Sequence, residues 1–260
     1  MPVDYLTDPR YAHLSLEQIR THYLVEKELR ETILSSDPEE RTKVFMWAYD
    51  ELFRRIPWHP ALTEKSGINN PELIRRRAKV FGALIGEPPK GVLEIGCGHG
   101  ELVIGLSKIG FNCVGLDISA IRINQLQEIE NRRLHFKLSE GSNLPFEDNS
   151  FDVVISMQLL EHLHPDDVLE HLIEVKRVLK PRGKYLLETP NKWVGPGDVS
   201  RFFSEIPQGF HLKEYSIADL CSLLHRAKYS KVKVVLRKKS FYRNFFPFVW
   251  KKYGRFYLNP

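Results

Sequence analysis

The stretch Gly91-Val-Leu-Glu94-Ile-Gly96-Cys97-Gly98-His-Gly100-Glu101-Leu-Val-Ile-Gly-Leu-Ser-Lys108-Ile-Gly-Phe-Asn112-Cys-Val-Gly-Leu-Asp117 decides the fold. Val92, Leu93 and Ile95 form a short apolar run that stops at three alternating glycines, and residues 101–108 then take helical spacing. A strand, a tight turn and a helix are predicted. Glycine reaches backbone angles closed to other residues and carries no Cβ, so a ligand can lie against the main chain beside the free N–H groups of a helix start. A second apolar run ends at Asp117, about 20 residues past the first glycine, where doubly wound folds set a carboxylate on a ribose. The predicted ligand therefore contains a nucleoside.

Spacing separates two ligand classes. A dinucleotide fingerprint, G-x-G-x-x-G, needs its third glycine where Glu101 stands, and a carboxylate there would repel a pyrophosphate. The run Glu94-Ile-Gly96-Cys97-Gly98-His-Gly100 resembles instead the first motif, E-x-G-x-G-x-G, of the class I S-adenosylmethionine-dependent methyltransferases. The resemblance extends over roughly 91–236 and includes the ubiquinone-pathway O-methyltransferase group. It implies an α/β fold with a doubly wound, mostly parallel seven-stranded Rossmann-like sheet, and S-adenosyl-L-methionine as cofactor. Cofactor contacts are expected from Glu94, Gly96, Cys97, Gly98 and Gly100, from Asp117 and Ile118, from Glu140, Gly141 and Ser142 after the third strand, and from Met157 and Gln158 after the fourth.

Strands are expected at 133–139, 151–157, 184–188 and 231–238, with helices at 166–179 and 217–226. A seventh, antiparallel strand must come from 241–260, whose Phe and Trp runs do not read as one strand. Ahead of the sheet, residues 15–86 read as helices. Ser15 with Gln18 forms a capping-box pattern, Asp37-Pro38 starts a second helix reaching Pro57, and Asn70-Pro71 a third ending near Gly86. The expected organisation is thus an N-terminal helical extension or lid over 1–86 and a catalytic domain over 87–260, with a substrate loop inserted at 190–212.

For methyl transfer to an oxygen, the acceptor must also lose a proton, a task suited to histidine. His211 precedes Tyr215-Ser-Ile-Ala-Asp219-Leu220, and His162 lies in Leu-Leu-Glu-His after the fourth strand; the resemblance makes them the base candidates, with His59 and His99 as outsiders. His164, Asp166 and Asp167 beside His162 have the composition of a metal site. Pro165 and two acids in a first helical turn account for the aspartates, so no metal is expected.

Neither a Pro-Pro-aromatic amino-methylation motif nor a Pro-Cys nucleophile follows the fourth strand, which argues against nucleic acid and for a small-molecule or lipidic acceptor. A nicotinamide-dependent oxidoreductase is disfavoured by Glu101, and a non-catalytic cofactor-binding module would look the same in sequence. Residues 228–260 hold ten Lys or Arg, no acid and ten aromatics. That tail fits a strand and helix with snorkelling lysines, peripheral contact with an anionic membrane, or single-stranded nucleic acid. The three cysteines lack C-x-x-C spacing, and no apolar run approaches a membrane span, so a cytoplasmic location, with or without peripheral membrane contact, is expected.

Overall fold

Ser15 starts the first helix as its spacing predicts: its hydroxyl accepts the Gln18 N–H at 3.2 Å, and the Gln18 side chain accepts the Ser15 N–H at 2.9 Å. This computed structural model describes residues 6, 8–63, 70–238, 241–244 and 254–259. Two compact units are present. The first consists of Met1–Glu64, Glu161–Pro165 and Pro190–Ser216, and the second of Lys65–Leu160, Asp166–Thr189 and Ile217–Pro260.

The first unit contains helices α1 (Leu16–Leu34), α2 (Arg41–Arg55) and α3 (Pro60–Thr63). The buried stripe of α1 is Ile19, His22, Val25, Glu26, Leu29 and Ile33, at helical spacing, while Leu16 and Leu24 face outward. Two ionisable side chains therefore stand in an apolar stripe. Helix α2 begins three residues later than its sequence suggests, because Asp37 and Glu40 close a turn through Glu40 N–H to Asp37 O at 3.1 Å. Val25, Leu29, Ile33, Ala48, Leu52 and Ile56 bury themselves with Phe210 and Leu212 from the third segment.

The second unit begins with α4 (Pro71–Ile85), capped by Asn70, whose side chain accepts the Leu73 N–H at 3.0 Å. The helix read from sequence as part of the extension thus belongs to the sheet unit. Strands β1 (Gly91–Ile95), β2 (Asn112–Asp117), β3 (Leu134–Leu138), β4 (Phe151–Met157) and β5 (Leu179–Glu188) pair in the parallel order β3-β2-β1-β4-β5. The order reverses between β1 and β4, which in such sheets marks the ligand crevice at the strands' carboxyl ends. β5 starts earlier than predicted, because Leu179 already pairs with Phe151 before a register shift.

Helices α5 (Glu101–Lys108), α6 (Ala120–Gln127), α7 (Val168–Val178) and α8 (Ile217–Arg226) complete this unit. Gly105 is where α5 meets α4: a Cβ there would stand 2.7 Å from the Ile74 carbonyl oxygen and 2.9 Å from Ala78 Cβ. Beyond β5 the sheet continues antiparallel through β8 (Gly254–Asn259), β6 (Lys231–Lys238) and β7 (Phe241–Asn244). The seven-strand expectation is corrected to eight strands among the described residues, since 241–259 supplies two antiparallel strands. The remainder of the basic aromatic tail, 239–240, 245–253 and 260, lies outside the described residues. No described helix is long and apolar enough to cross a membrane.

Candidate functional site

The glycine-rich turn of the second unit takes the conformation that its composition requires. Gly96, Gly98 and Gly100 have φ of 72°, 55° and 74°, in the left-handed region that a side chain disfavours. A Cβ on Gly98 would meet nothing within 4 Å, so the turn presents bare main chain to open space. Asp117, at the end of β2, holds this turn: its Oδ2 accepts the Gly98 N–H at 2.8 Å and its Oδ1 the Ser119 N–H at 2.9 Å. Arg122 Nη1 lies 3.9 Å from the same carboxylate.

Glu94 is buried at the end of β1, and its Oε2 has no hydrogen-bond partner. Burial, reinforced by the Glu101 and Asp117 charges and opposed by Arg77 and a backbone bond from Val103, raises its pKa to about 8. Glu101 does not face an open helix start, because Arg77 Nη1 lies 3.3 Å from its Oε2. An open glycine cradle, a carboxylate closing β2 beside it and an orphaned buried oxygen fit a zwitterionic nucleoside cofactor without phosphate. Ile118 and Ser142 are half-buried, as are Glu140 and Met157, while Gln158 is exposed with φ 53°.

A polar chain under this region escaped the sequence reading. His171 Nδ1 donates to the Gly141 carbonyl at 2.6 Å, leaving Nε2 to accept from the Tyr185 hydroxyl at 3.1 Å. Tyr185 in turn accepts from the Ser156 hydroxyl at 2.6 Å. Burial pulls His171 down to about 4, against the Gly141 bond, so the ring is neutral at pH 7 and its tautomer fixed. The signal in sequence was faint: His171 occupies an inward position of an amphipathic helix, where a polar residue needs partners.

The second group of candidates lies in the first unit, where residues 208–214 are held by buried side chains. Glu26 Oε2 accepts the Phe210 N–H at 3.0 Å, and Asp198 Oδ2 accepts the His211 N–H at 3.1 Å. Arg30 donates to the Leu212 carbonyl at 3.2 Å, and the Glu161 carbonyl accepts the Lys213 N–H at 3.3 Å. His162 Nδ1 donates to the Phe210 carbonyl at 2.9 Å, and His211 Nδ1 to Glu214 Oε1 at 2.6 Å. The two imidazoles are edge to face with centroids 4.8 Å apart.

Their charge states differ. Burial, helped by the His211 charge, takes His162 down to about 3. Burial also lowers His211, but the Glu214 bond and the Asp198, Glu161 and Glu214 charges outweigh it and lift the group to about 9. His211 therefore holds a proton at neutral pH and His162 does not. Of the other histidines, His164 Nε2 lies 3.5 Å from the Leu34 carbonyl, and His59 Nε2 lies 3.5 Å from Glu26 Oε1.

Gly209 shows how tightly this loop is set. A Cβ there would overlap the Glu26 carboxylate and stand 2.7 Å from Asp198 Oδ2. Gly209→Ala is expected to destabilise the first unit by about 2 kcal/mol, read as a lowered denaturant midpoint. An unchanged midpoint would show that the two carboxylates give way freely.

Residues 93–187 match the methyltransferase domain family. A relative from Mycolicibacterium smegmatis named "Probable S-adenosylmethionine-dependent methyltransferase" is 31% identical over 139 residues, 53% of this chain and 51% of the relative, so the chain spans about half that protein's length. The ubiquinone biosynthesis O-methyltransferase of Roseobacter denitrificans is 28% identical over 184 residues, 65% of this chain and 71% of the relative. A solved structure of the Burkholderia thailandensis 1,6-didemethyltoxoflavin-N1-methyltransferase, with its substrate and S-adenosylhomocysteine bound, shares the fold. It has a TM-score of 0.57 at 19% identity, covering 86% of this chain and 90% of its own.

Proposed function

We propose, from the premise that residues 93–187 form a class I S-adenosylmethionine-dependent methyltransferase domain, that this chain methylates a hydroxyl oxygen of a small-molecule or lipidic acceptor. The observation that carries the reading is the open left-handed glycine turn tethered to Asp117. When bound, S-adenosylmethionine supplies a methyl group activated by its sulfonium. Glu94, Gly96, Cys97, Gly98 and Gly100 are assigned to its methionine end, with Met157 and Gln158. Asp117 and Ile118 are assigned to the ribose, and Glu140, Gly141 and Ser142 to the adenine. His171 fixes the main chain at Gly141.

Proton removal from the acceptor is assigned to the His162 and His211 pair. His162 commits Nδ1 to the Phe210 carbonyl and keeps an Nε2 lone pair at neutral pH, whereas His211, held protonated up to about 9 beside Glu214, offers its Nε2 as a base only above that. An oxygen acceptor is supported by the need for such a group and by the name of the ubiquinone-pathway relative.

Calorimetric titration with S-adenosylmethionine and S-adenosylhomocysteine, with NAD as control, tests the cofactor assignment. Turnover is then sought with phenols, quinols, sugars and lipids. His162→Ala and His211→Ala are each expected to lower kcat by roughly 100-fold or more while leaving cofactor affinity intact. Full turnover in both variants would remove the proton-transfer role, and preference for NAD would remove the methyltransferase reading.

For a lipidic acceptor, the basic aromatic tail is the segment assigned to an anionic surface. Cosedimentation with phosphatidylserine vesicles should fall in Lys251→Glu/Lys252→Glu and at high salt. Equal sedimentation with neutral vesicles would overturn that role.

A further inference from the structure

The first unit brings together two sets of metal-ligating side chains that lie far apart in sequence: His22, Glu26 and His59, and Glu161, His162 and His211. In each set the potential ligand atoms lie within 4.8 Å of one another. Hydrogen bonding distinguishes them.

His59 Nδ1 accepts the Ala61 N–H at 3.1 Å, so a neutral His59 carries its proton on Nε2, the nitrogen aimed at Glu26. That nitrogen has no lone pair to offer. Glu26 is also engaged through both oxygens, by His22 Nε2 at 2.8 Å and Phe210 N–H at 3.0 Å. The first set is a hydrogen-bonding hub.

The second set has the opposite arrangement. His162 and His211 both place their proton on Nδ1, against the Phe210 carbonyl and the Glu214 carboxylate. Both consequently offer an Nε2 lone pair when neutral. Metal-binding histidines are oriented in this manner, the second ring N–H being donated to a carbonyl or carboxylate that fixes the tautomer and raises ligand basicity. The third ligand, Glu161, is a buried carboxylate adjoining His162 in sequence. Asp198 and Glu214, also buried, add negative charge around His211. A cation bound there would displace the His211 proton and take over the balancing of these buried carboxylates.

We propose that Glu161, His162 and His211 bind one divalent transition-metal cation of the zinc, cobalt or manganese class. Two imidazoles and one carboxylate suit these ions and leave coordination positions open to an oxygen ligand. Metal–ligand distances of about 2.0–2.2 Å require the three donors to draw together on binding. The site deepens the function proposed above and rests on it only for its purpose: an acceptor oxygen bound to the cation would release its proton to bulk water more readily, in place of proton transfer to a bare imidazole.

The test is metal binding by the full chain, independent of turnover. Metal-free protein is titrated with Co2+, following its visible d–d absorption, and with Zn2+ by competition. One equivalent is expected to bind with a His/carboxylate spectrum. His162→Ala and His211→Ala should each weaken binding by at least 100-fold. Glu161→Gln should weaken it and alter the spectrum, and Glu214→Gln, acting through His211, should cost about 10- to 100-fold. His135→Ala, an exposed histidine, serves as the control. S-adenosylhomocysteine affinity is measured on every variant to show that the protein remains folded.

Absence of a stoichiometric cobalt complex in the native chain, or affinity unchanged in the two histidine variants, overturns the proposal. If no metal binds and those variants still lose turnover, proton removal by the pair stands without a cation. If metal binds and turnover persists in both variants, the site is upheld and the acceptor role falls.

Discussion

Asp117→Ala is expected to weaken binding of S-adenosylmethionine and S-adenosylhomocysteine by at least about 100-fold. The carboxylate closes β2 and accepts the backbone N–H groups of Gly98 and Ser119. Removing it loses the ribose partner assigned to it and also frees the turn that receives the rest of the ligand. Hydrogen bonds to charged groups contribute about 1.5–3 kcal/mol each, so a combined loss near 3 kcal/mol is reasonable and corresponds to a little over 100-fold. Asp117→Asn, which keeps one acceptor, should lie between the two. Calorimetry decides: native affinity in the alanine variant would mean that the nucleoside does not lie against this strand end.

Acidification should destabilise the protein through His171. The ring is neutral in the folded chain, with its pKa lowered from 6.5 to about 4 by burial. Above 6.5 both folded and unfolded chains hold it neutral, and its contribution is fully present. Between 6.5 and about 4 only the unfolded chain takes up the proton, so stability falls with falling pH. At about 1.4 kcal/mol per pK unit, the total loss approaches roughly 3 kcal/mol. His171→Gln should flatten that part of the stability curve. At pH 8 the same variant should lose about 1–3 kcal/mol, because the Gly141 carbonyl and the Tyr185 hydroxyl each lose their imidazole partner. Urea midpoints measured from pH 4 to 8 would show both effects, and parallel curves for the two proteins would exclude His171 as the titrating group.

The nucleoside-binding half of the fold was legible because its signals are local. Gly96, Gly98 and Gly100 take left-handed backbone, and Asp117 closes the next strand. Helix α8 was readable to its end residues, since its apolar period and flanking Ser216 lie within one short window. The start of α2 was not, because Pro38 fits a turn as well as a first helical position. The eighth strand was hidden by the interleaving of aromatic and basic residues after Lys238.

The acidic and histidine side chains of the first unit posed a different difficulty. Glu26 and His211 are 185 positions apart, and only the folded chain shows that Glu26 supports the peptide before that histidine. Glu161 and Glu214 look like ordinary surface acids in sequence, yet both are buried. The one available hint was the placement of His22 and Glu26 within the buried stripe of α1. Polar residues at those positions signal partners elsewhere without naming them.

The dependence of residues 208–214 on α1 limits how this protein can be recombined. Tyr23, Glu26 and Arg30, on three successive stretches of one helix, bond respectively to Gln208, Phe210 and Leu212. A graft that moved only 190–216 into a related scaffold would carry Asp198, His211 and Glu214 into an environment without those bonds. Its buried charges would then lack the geometry that stabilises them. The loop is therefore transferable only as a pair of segments, with the N-terminal helix travelling alongside the loop that it supports.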